Sequence, residues 1–332
     1  MQRILNQPSN YVDEMLEGIY AAYPEQVCSL DGDLRCFVKK DLKPGKVGII
    51  TGGGSGHLPL FLGYVGNGML DGCGIGGVFQ SPSSMQLYDL TKTVDQGAGV
   101  LYIYGNYGGD IMNFELAKEM VEIDGISVEQ VVAGDDVASA ESSEKEKRRG
   151  VAGIFFVYKI AGAAAEAMLS LNEVHRLASK AAENTRTMGV ALTACIVPEI
   201  GKPSFQISEG EMEIGMGIHG ESGIRTGKLK TADEIVEELL GNILTDLPYE
   251  AGYEVAVLVN GLGGTPKEEL FIIYRKISQI LQNKKIVIYR KYIGEFATSM
   301  EMAGVSISLM KLANELKKYL DAPCATPFFA QI

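Results

Sequence analysis

The segment Lys46-Val47-Gly48-Ile49-Ile50-Thr51 runs without a break into Gly52-Gly53-Gly54-Ser55-Gly56-His57. A short β-branched run that empties into glycines reads as a strand ending in a sharp turn. The same pattern recurs along the chain. Strands are expected at Lys46–Thr51, Gly99–Tyr104, Gly153–Tyr158, Gly189–Val197, Tyr253–Asn260 and Lys285–Arg290. Helical periodicity is expected at Met112–Glu122, Ile160–Leu169, Asn172–Asn184, Ala232–Ile243 and Pro266–Gln282. Short strands alternating with longer helices predict an α/β fold, and in open α/β sheets ligands gather at the carboxyl ends of strands. A chain of 332 residues is long enough for two α/β domains. A composition break around Pro198–Glu211 places them at 1–190 and 191–332.

Composition narrows the function. The formal net charge of −12 repels phosphate backbones, so no direct nucleic-acid binding is expected. No run of 18 apolar residues is present and the N-terminus lacks a signal-peptide core, so no membrane span and a cytoplasmic location are expected. The five cysteines, Cys28, Cys36, Cys73, Cys195 and Cys324, form no C-x-x-C pair, and the chain holds three histidines. Neither a disulfide framework nor a metal site is expected. The charged stretch Gly134–Gly150 reads as a solvated loop.

Three residues stand out by their setting. His57 ends a turn with four glycines in five positions, where backbone N–H groups can approach a ligand. The turn is no P-loop, because no Gly-Lys-Ser/Thr follows, and His57 occupies the third glycine of a dinucleotide fingerprint. An imidazole there suits proton transfer, against the plainer reading of a turn filler. Asp110 follows Gly105-Asn106-Tyr107-Gly108-Gly109 at the start of a helix. It reads equally as an N-cap and as an active-site carboxylate. His219 lies in Gly215-Met216-Gly217-Ile218-His219-Gly220-Glu221-Ser222-Gly223, where a bare ring nitrogen is a competent nucleophile toward a carbonyl, against the plainer reading of a buried, hydrogen-bonded turn histidine. His175, on a charged helical pattern, reads as a surface residue, and Asn260–Pro266 as a tight structural turn.

In this order the motifs resemble the DhaK family, the substrate-binding subunits of dihydroxyacetone kinases. The resemblance rests on Gly52–His57, Phe79-Gln80-Ser81-Pro82, Asn106–Phe114, Asp135-Asp136, Arg148–Gly153, Gly215–Gly220 and Asn260–Pro266. It implies two α/β domains of the DhaK type, a homodimer, and dihydroxyacetone held as a hemiaminal on His219. Gly54, His57 and Asp110 would hold the hydroxyls, with Ser55, Gly56, Ser81 and Gly105 completing the binding surface. His57 and Asp110 would serve as acid and base, without metal or cofactor in this subunit. The family's Gly-His-Glu-Pro, Lys-Asn-Tyr and Glu-Pro-Gly here read Gly56-His57-Leu58-Pro59, Gly105-Asn106-Tyr107 and Glu221-Ser222-Gly223. Loss of a charged Glu and a Lys beside a retained trio is similar to the DhaQ branch. Those paralogues act as ligand-sensing coactivators of DhaS, a TetR-like regulator. That role is the leading expectation. Its alternative is a subunit of a dihydroxyacetone or erythrulose kinase working with a separate DhaL phosphoryl-donor subunit.

Overall fold

The computed structural model describes residues 2–30, 32–203, 205–221 and 223–332; Ser222 of the His219 segment lies outside the described residues. Two six-stranded sheets carry the chain. The first holds β1 (Val27–Leu30), β2 (Asp33–Lys39), β3 (Gly48–Ser55), β4 (Gly72–Val78), β5 (Val100–Gly105) and β6 (Val128–Ala133), in the order β1-β2-β4-β3-β5-β6. β3 to β6 run parallel, while β1 and β2 form an antiparallel edge. The helices α1 (Tyr11–Ala22), α2 (Ser84–Val94), α3 (Gly108–Ile123), α4 (Ile154–Glu166) and α5 (Leu171–Glu183) cover it.

β5 shows why the sheet needs both covers. Val100, Tyr102 and Tyr104 pack with Leu87, Leu90, Phe114 and Val121 of α2 and α3. Leu101 and Ile103 point the other way, into the cluster that holds α4 and α5. A parallel strand buried on both faces reads as an unbroken apolar run.

The second sheet holds β7 (Thr185–Ala191), β8 (Glu211–Ile214), β9 (Arg225–Lys228), β10 (Glu254–Gly261), β11 (Val287–Glu295) and β12 (Gly304–Lys311), in the order β11-β10-β12-β7-β8-β9. Only β10 and β11 pair in parallel; the other pairs are antiparallel. Val255, Val257 and Val259 face α6 (Ala232–Asp246) and α7 (Lys267–Asn283). Ala256 and Leu258 face the same cluster as α4, joined there by Leu316 and Leu320 of α8 (Asn314–Asp321). One apolar core therefore bridges both sheets, with α4 inside it. Residue 190 of the expected division lies within β7.

Two expectations are corrected here. Gly153–Tyr158 is not a strand: it opens α4, in which every residue from Ile154 to Ala165 is buried. A helix apolar all round has no 3.6-residue stripe, so periodicity cannot tell it from a buried strand. Gly134–Gly150 is solvated only over Glu141–Lys147. Arg148 is fully buried and donates to both oxygens of Asp246, at 2.8 and 2.6 Å. The buried Asp135 accepts the Val151 and Gly153 N–H groups at 2.9 and 2.8 Å, which ties down the segment that leads into α4. Pairing, which composition does not reveal, turns these charges inward.

Gly162 marks a close passage of α4 over the chain before β4, since a Cβ there would lie 2.6 Å from the Gly68 carbonyl oxygen. In an open helix Gly→Ala stabilises by about 1 kcal/mol, whereas overpacking costs about 1–3 kcal/mol. Gly162→Ala is expected to destabilise the fold, read as a lower urea midpoint. An unchanged or raised midpoint would show that α4 does not touch this backbone.

Candidate functional site

The glycine turn at the end of β3 lets the loop after β4 come down on it. A Cβ on Gly54 would lie 2.7 Å from the Phe79 Cα, and one on Gly56, whose φ is 99°, would lie 2.9 Å from the Phe79 ring. Ser55 is buried and donates its hydroxyl proton to the Gly76 carbonyl at 2.9 Å, which binds the turn to β4. Phe79 adopts a left-handed φ of 59°, uncommon for a bulky residue, and its ring stacks on that of His57 at 4.9 Å.

His57 is 1% exposed. Its Nδ1 lies 2.7 Å from the Thr298 carbonyl oxygen. A carbonyl only accepts, so the ring proton sits on Nδ1 and Nε2 keeps a bare lone pair. That Nε2 is buried without a partner. Burial and the neighbouring His219 push His57 down to about 3, so the ring is neutral near pH 7.

His219 meets His57 edge to face, with ring centroids 4.8 Å apart. Its loop follows β8 and turns at Gly215 and Gly220, both with positive φ. Glu221 grips it twice, accepting the His219 backbone N–H at 3.0 Å and the ring Nδ1–H at 2.8 Å. Burial would raise the Glu221 carboxyl, but the hydrogen bonds and charge of His219 bring it down to about 2. When the His219 ring carries a single proton, an ionised Glu221 holds that proton on Nδ1 and leaves Nε2 bare. The edge of Tyr107 packs against His219 at 4.7 Å and that of Phe79 at 5.4 Å.

Asp110 sits in the first turn of α3 but does not cap it: Tyr107 holds the N-cap position, without a side-chain cap bond. The Asp110 Oδ1 is buried and unpartnered. Burial lifts its carboxyl to about 6, although the hydrogen bond to Ser81 and the charge of His219 pull the other way. Ser81 lies against the start of α3, where a Cβ on Gly109 would come 2.7 Å from its hydroxyl oxygen. Gly105 is buried, and a Cβ on it would lie 3.0 Å from the Tyr107 ring. The missing side chain is the space that Tyr107 occupies, with its hydroxyl donating to the Gly150 carbonyl at 2.9 Å.

The structure thus brings His57 and His219 into ring contact, with Gly54 and Gly56 beneath Phe79, and Asp110 lies near enough for His219 to lower its carboxyl. His175 lies on α5. Sequence reasoning assigned no role to Phe79, Tyr107, Glu221 or Thr298. Glu221, two residues from His219, was open to view. Thr298 carries no signal, because it acts through a backbone carbonyl 241 residues from its partner. Among the described residues no group of three or more His, Cys, Asp or Glu is placed to hold a metal ion. No helix among them is long and apolar enough to cross a membrane.

The Dak1 domain matches residues 17–328. The dihydroxyacetone-binding subunit DhaK of PTS-dependent dihydroxyacetone kinase 2 from Listeria innocua is 47% identical over 330 residues, 99% of each chain. The dihydroxyacetone-binding subunit DhaK from Lactococcus lactis is 44% identical over 95% of this chain and 94% of its own. Among solved structures, the dihydroxyacetone kinase operon co-activator DhaQ superposes with a TM-score of 0.90 at 33% identity. That match covers 96% of this chain and 98% of the co-activator.

The burial of Asp110 has a cost that can be read. Its carboxyl rises from 3.8 to about 6 on folding, so the folded state takes up a proton between those values. Stability is therefore lost as pH climbs through that window, by up to about 3 kcal/mol at neutrality. Asp110→Asn should stabilise the protein at pH 7, with the gain fading toward pH 4. A gain independent of pH would show that the carboxylate is not strained by burial.

Proposed function

The chain belongs to the Dak1 domain family, and from that premise we propose that it captures dihydroxyacetone covalently on His219. The observation that carries this is a pair of buried, unpartnered atoms, His57 Nε2 and Asp110 Oδ1, beside a histidine whose second nitrogen is free to attack. Buried polar groups without partners cost free energy, and a ligand that supplies those partners recovers it. A short ketose has hydroxyls flanking its carbonyl. One hydroxyl donates to the bare His57 Nε2, and another meets Asp110. The covalent step then separates ketose from glycerol, which has no carbonyl and is poorly distinguished by size alone.

The step balances within the site. The His219 Nε2 lone pair forms a bond to the ketone carbon, and the C=O π pair moves to oxygen. That oxygen takes the proton of Asp110 in its protonated form, whose share is raised by its shift to about 6. The ring becomes an imidazolium, stabilised by the Glu221 carboxylate on Nδ1. His57 stays neutral and holds the ligand hydroxyl as an acceptor, placed to take its proton. The two units of the proposed division near residue 190 each supply part of the site, His57 and Asp110 from one and His219 from the other.

After capture, two readings differ. The 47% and 44% identities to kinase subunits over nearly full length support a DhaK subunit that hands the bound ketose to a DhaL-type phosphoryl donor. Leu58 and Gly105, which remove a carboxylate and an ammonium beside an intact trio, favour the second reading. In it the loaded protein, a homodimer, acts as a coactivator of a DhaS-type regulator. Mixing the chain with a DhaL subunit and its phosphoryl donor separates them: ketose phosphate forms under the first and not under the second.

The capture itself is tested by intact mass after exposure to dihydroxyacetone. The wild type should gain one ketose and His219→Ala none, while its circular dichroism stays native. An adduct persisting in His219→Ala would place the nucleophile elsewhere. Glu221→Gln keeps the shape but drops the charge that steadies the imidazolium, so adduct formation should slow by about 100-fold or more.

A further inference from the structure

The turn Asn260-Gly261-Leu262-Gly263-Gly264-Thr265-Pro266 has no part in the capture chemistry above, yet its first residue is one of the most completely bonded side chains in the protein. Asn260, near the end of β10, is 0% exposed. Its Oδ1 accepts the backbone N–H groups of Phe296 and Ala297 at 2.8 and 2.9 Å. Its Nδ2 donates to the Ala297 carbonyl at 2.8 Å and to the Ser306 hydroxyl at 3.0 Å. Both donors and both lone pairs of the carboxamide are in use.

What this carboxamide holds is the loop from Phe296 to Met300, and that loop grips the glycine turn of the other sheet. Thr298 donates its N–H to the His57 carbonyl at 3.2 Å, and its hydroxyl donates to the Leu58 carbonyl at 3.0 Å. Met300 donates its N–H to the Gly56 carbonyl at 2.8 Å. The Thr298 carbonyl then receives the His57 Nδ1–H at 2.7 Å. The rest of the turn seats the same loop. The Leu262 carbonyl accepts the Ser299 N–H at 2.9 Å, and a Cβ on Gly263 would lie 2.9 Å from the Met300 carbonyl carbon.

We infer that Asn260 is a positioning residue for the site: by fixing the Thr298 carbonyl it sets His57 as the Nδ1–H tautomer and keeps Nε2 bare toward the ligand. The inference deepens the proposed capture and rests on it for the rate readout alone. Without the aimed carbonyl, nothing on the Nδ1 side selects that tautomer. An Nε2–H ring would present a donor where the ligand hydroxyl needs an acceptor. Asparagine is required rather than aspartate, because a carboxylate turned toward the Ala297 carbonyl would oppose it oxygen to oxygen. The loop would then lose the geometry that points Thr298 at the ring.

The experiment is ring nitrogen–proton NMR on ligand-free protein labelled with ¹⁵N-histidine. The three histidines are assigned through His175→Gln and His219→Gln. Wild-type His57 should appear neutral, with Nδ1 protonated and Nε2 bare. In Asn260→Asp an Nε2-protonated share should emerge for His57, while His219, held by Glu221, keeps its pattern. Adduct formation should slow by about 100-fold, the low end of what a positioned acid–base group supplies. A purely structural Asn260 would lower the melting temperature and leave tautomer and rate unchanged, which overturns the inference. So does an Nε2–H ring in the wild type. Should Asn260→Asp not fold, Ser306→Ala strips one acceptor from the same carboxamide. Faster solvent exchange of the His57 Nδ1 proton is then expected, and an unchanged rate overturns the inference. A wild type that forms no adduct but shows the expected tautomers would count against capture alone.

Discussion

The hydrogen bond from His57 Nδ1 to the Thr298 carbonyl joins the two sheets at the point where the chemistry is arranged. A histidine buried in an apolar setting, against Phe61 and Phe79, is neutral because charging it would require water. Neutrality alone leaves two tautomers open. The carbonyl selects one of them, and so leaves a buried ring with a bare Nε2 beside His219. Glu221 makes the complementary choice at His219, where a carboxylate rather than a carbonyl holds the Nδ1 proton. The two imidazoles are thus set the same way round by different acceptors. Under the proposed capture, one would bind a hydroxyl as a base and the other would be the nucleophile.

The shared core explains how so much depends on one contact. α4 lies within the cluster that collects side chains from both sheets, and the rings of Phe155, Tyr292 and Phe296 pack within 4.9 to 6.0 Å of one another there. Phe296 begins the loop that reaches His57. A core that crosses the division between sheets fixes their separation, and only then can a 2.7 Å hydrogen bond be made across it. The burial that keeps His57 neutral also lifts Asp110 to about 6. The same desolvation therefore serves both groups, at the expense of stability.

Much of this was legible in the chain itself. β3 and β5 ending in glycine turns, and the amphipathic helices α5 and α7, follow from local pattern. His57, Asp110 and His219 stand out by their glycine surroundings alone. The strand expected at Gly153–Tyr158 failed because an all-apolar segment carries no period, and α4 is buried on every side. The strands β1, β2, β4, β6, β8, β9 and β12 are not among the expected ones; β1, β8 and β9 are short and set by pairing rather than by composition. Thr298 was illegible because any residue has a carbonyl to offer. Arg148 was misplaced because its partner, Asp246, lies 98 positions away.

The central claim is a bond between carbon and a ring nitrogen of His219. It is read most directly by NMR of ¹⁵N-histidine-labelled protein with dihydroxyacetone carrying ¹³C at its ketone carbon. The predicted result is loss of the carbonyl resonance, a new signal for a tetrahedral carbon, and a one-bond carbon–nitrogen coupling to the nitrogen opposite the Glu221 hydrogen bond. A bound ketose whose central carbon remains a carbonyl, with no coupling to nitrogen, would contradict it.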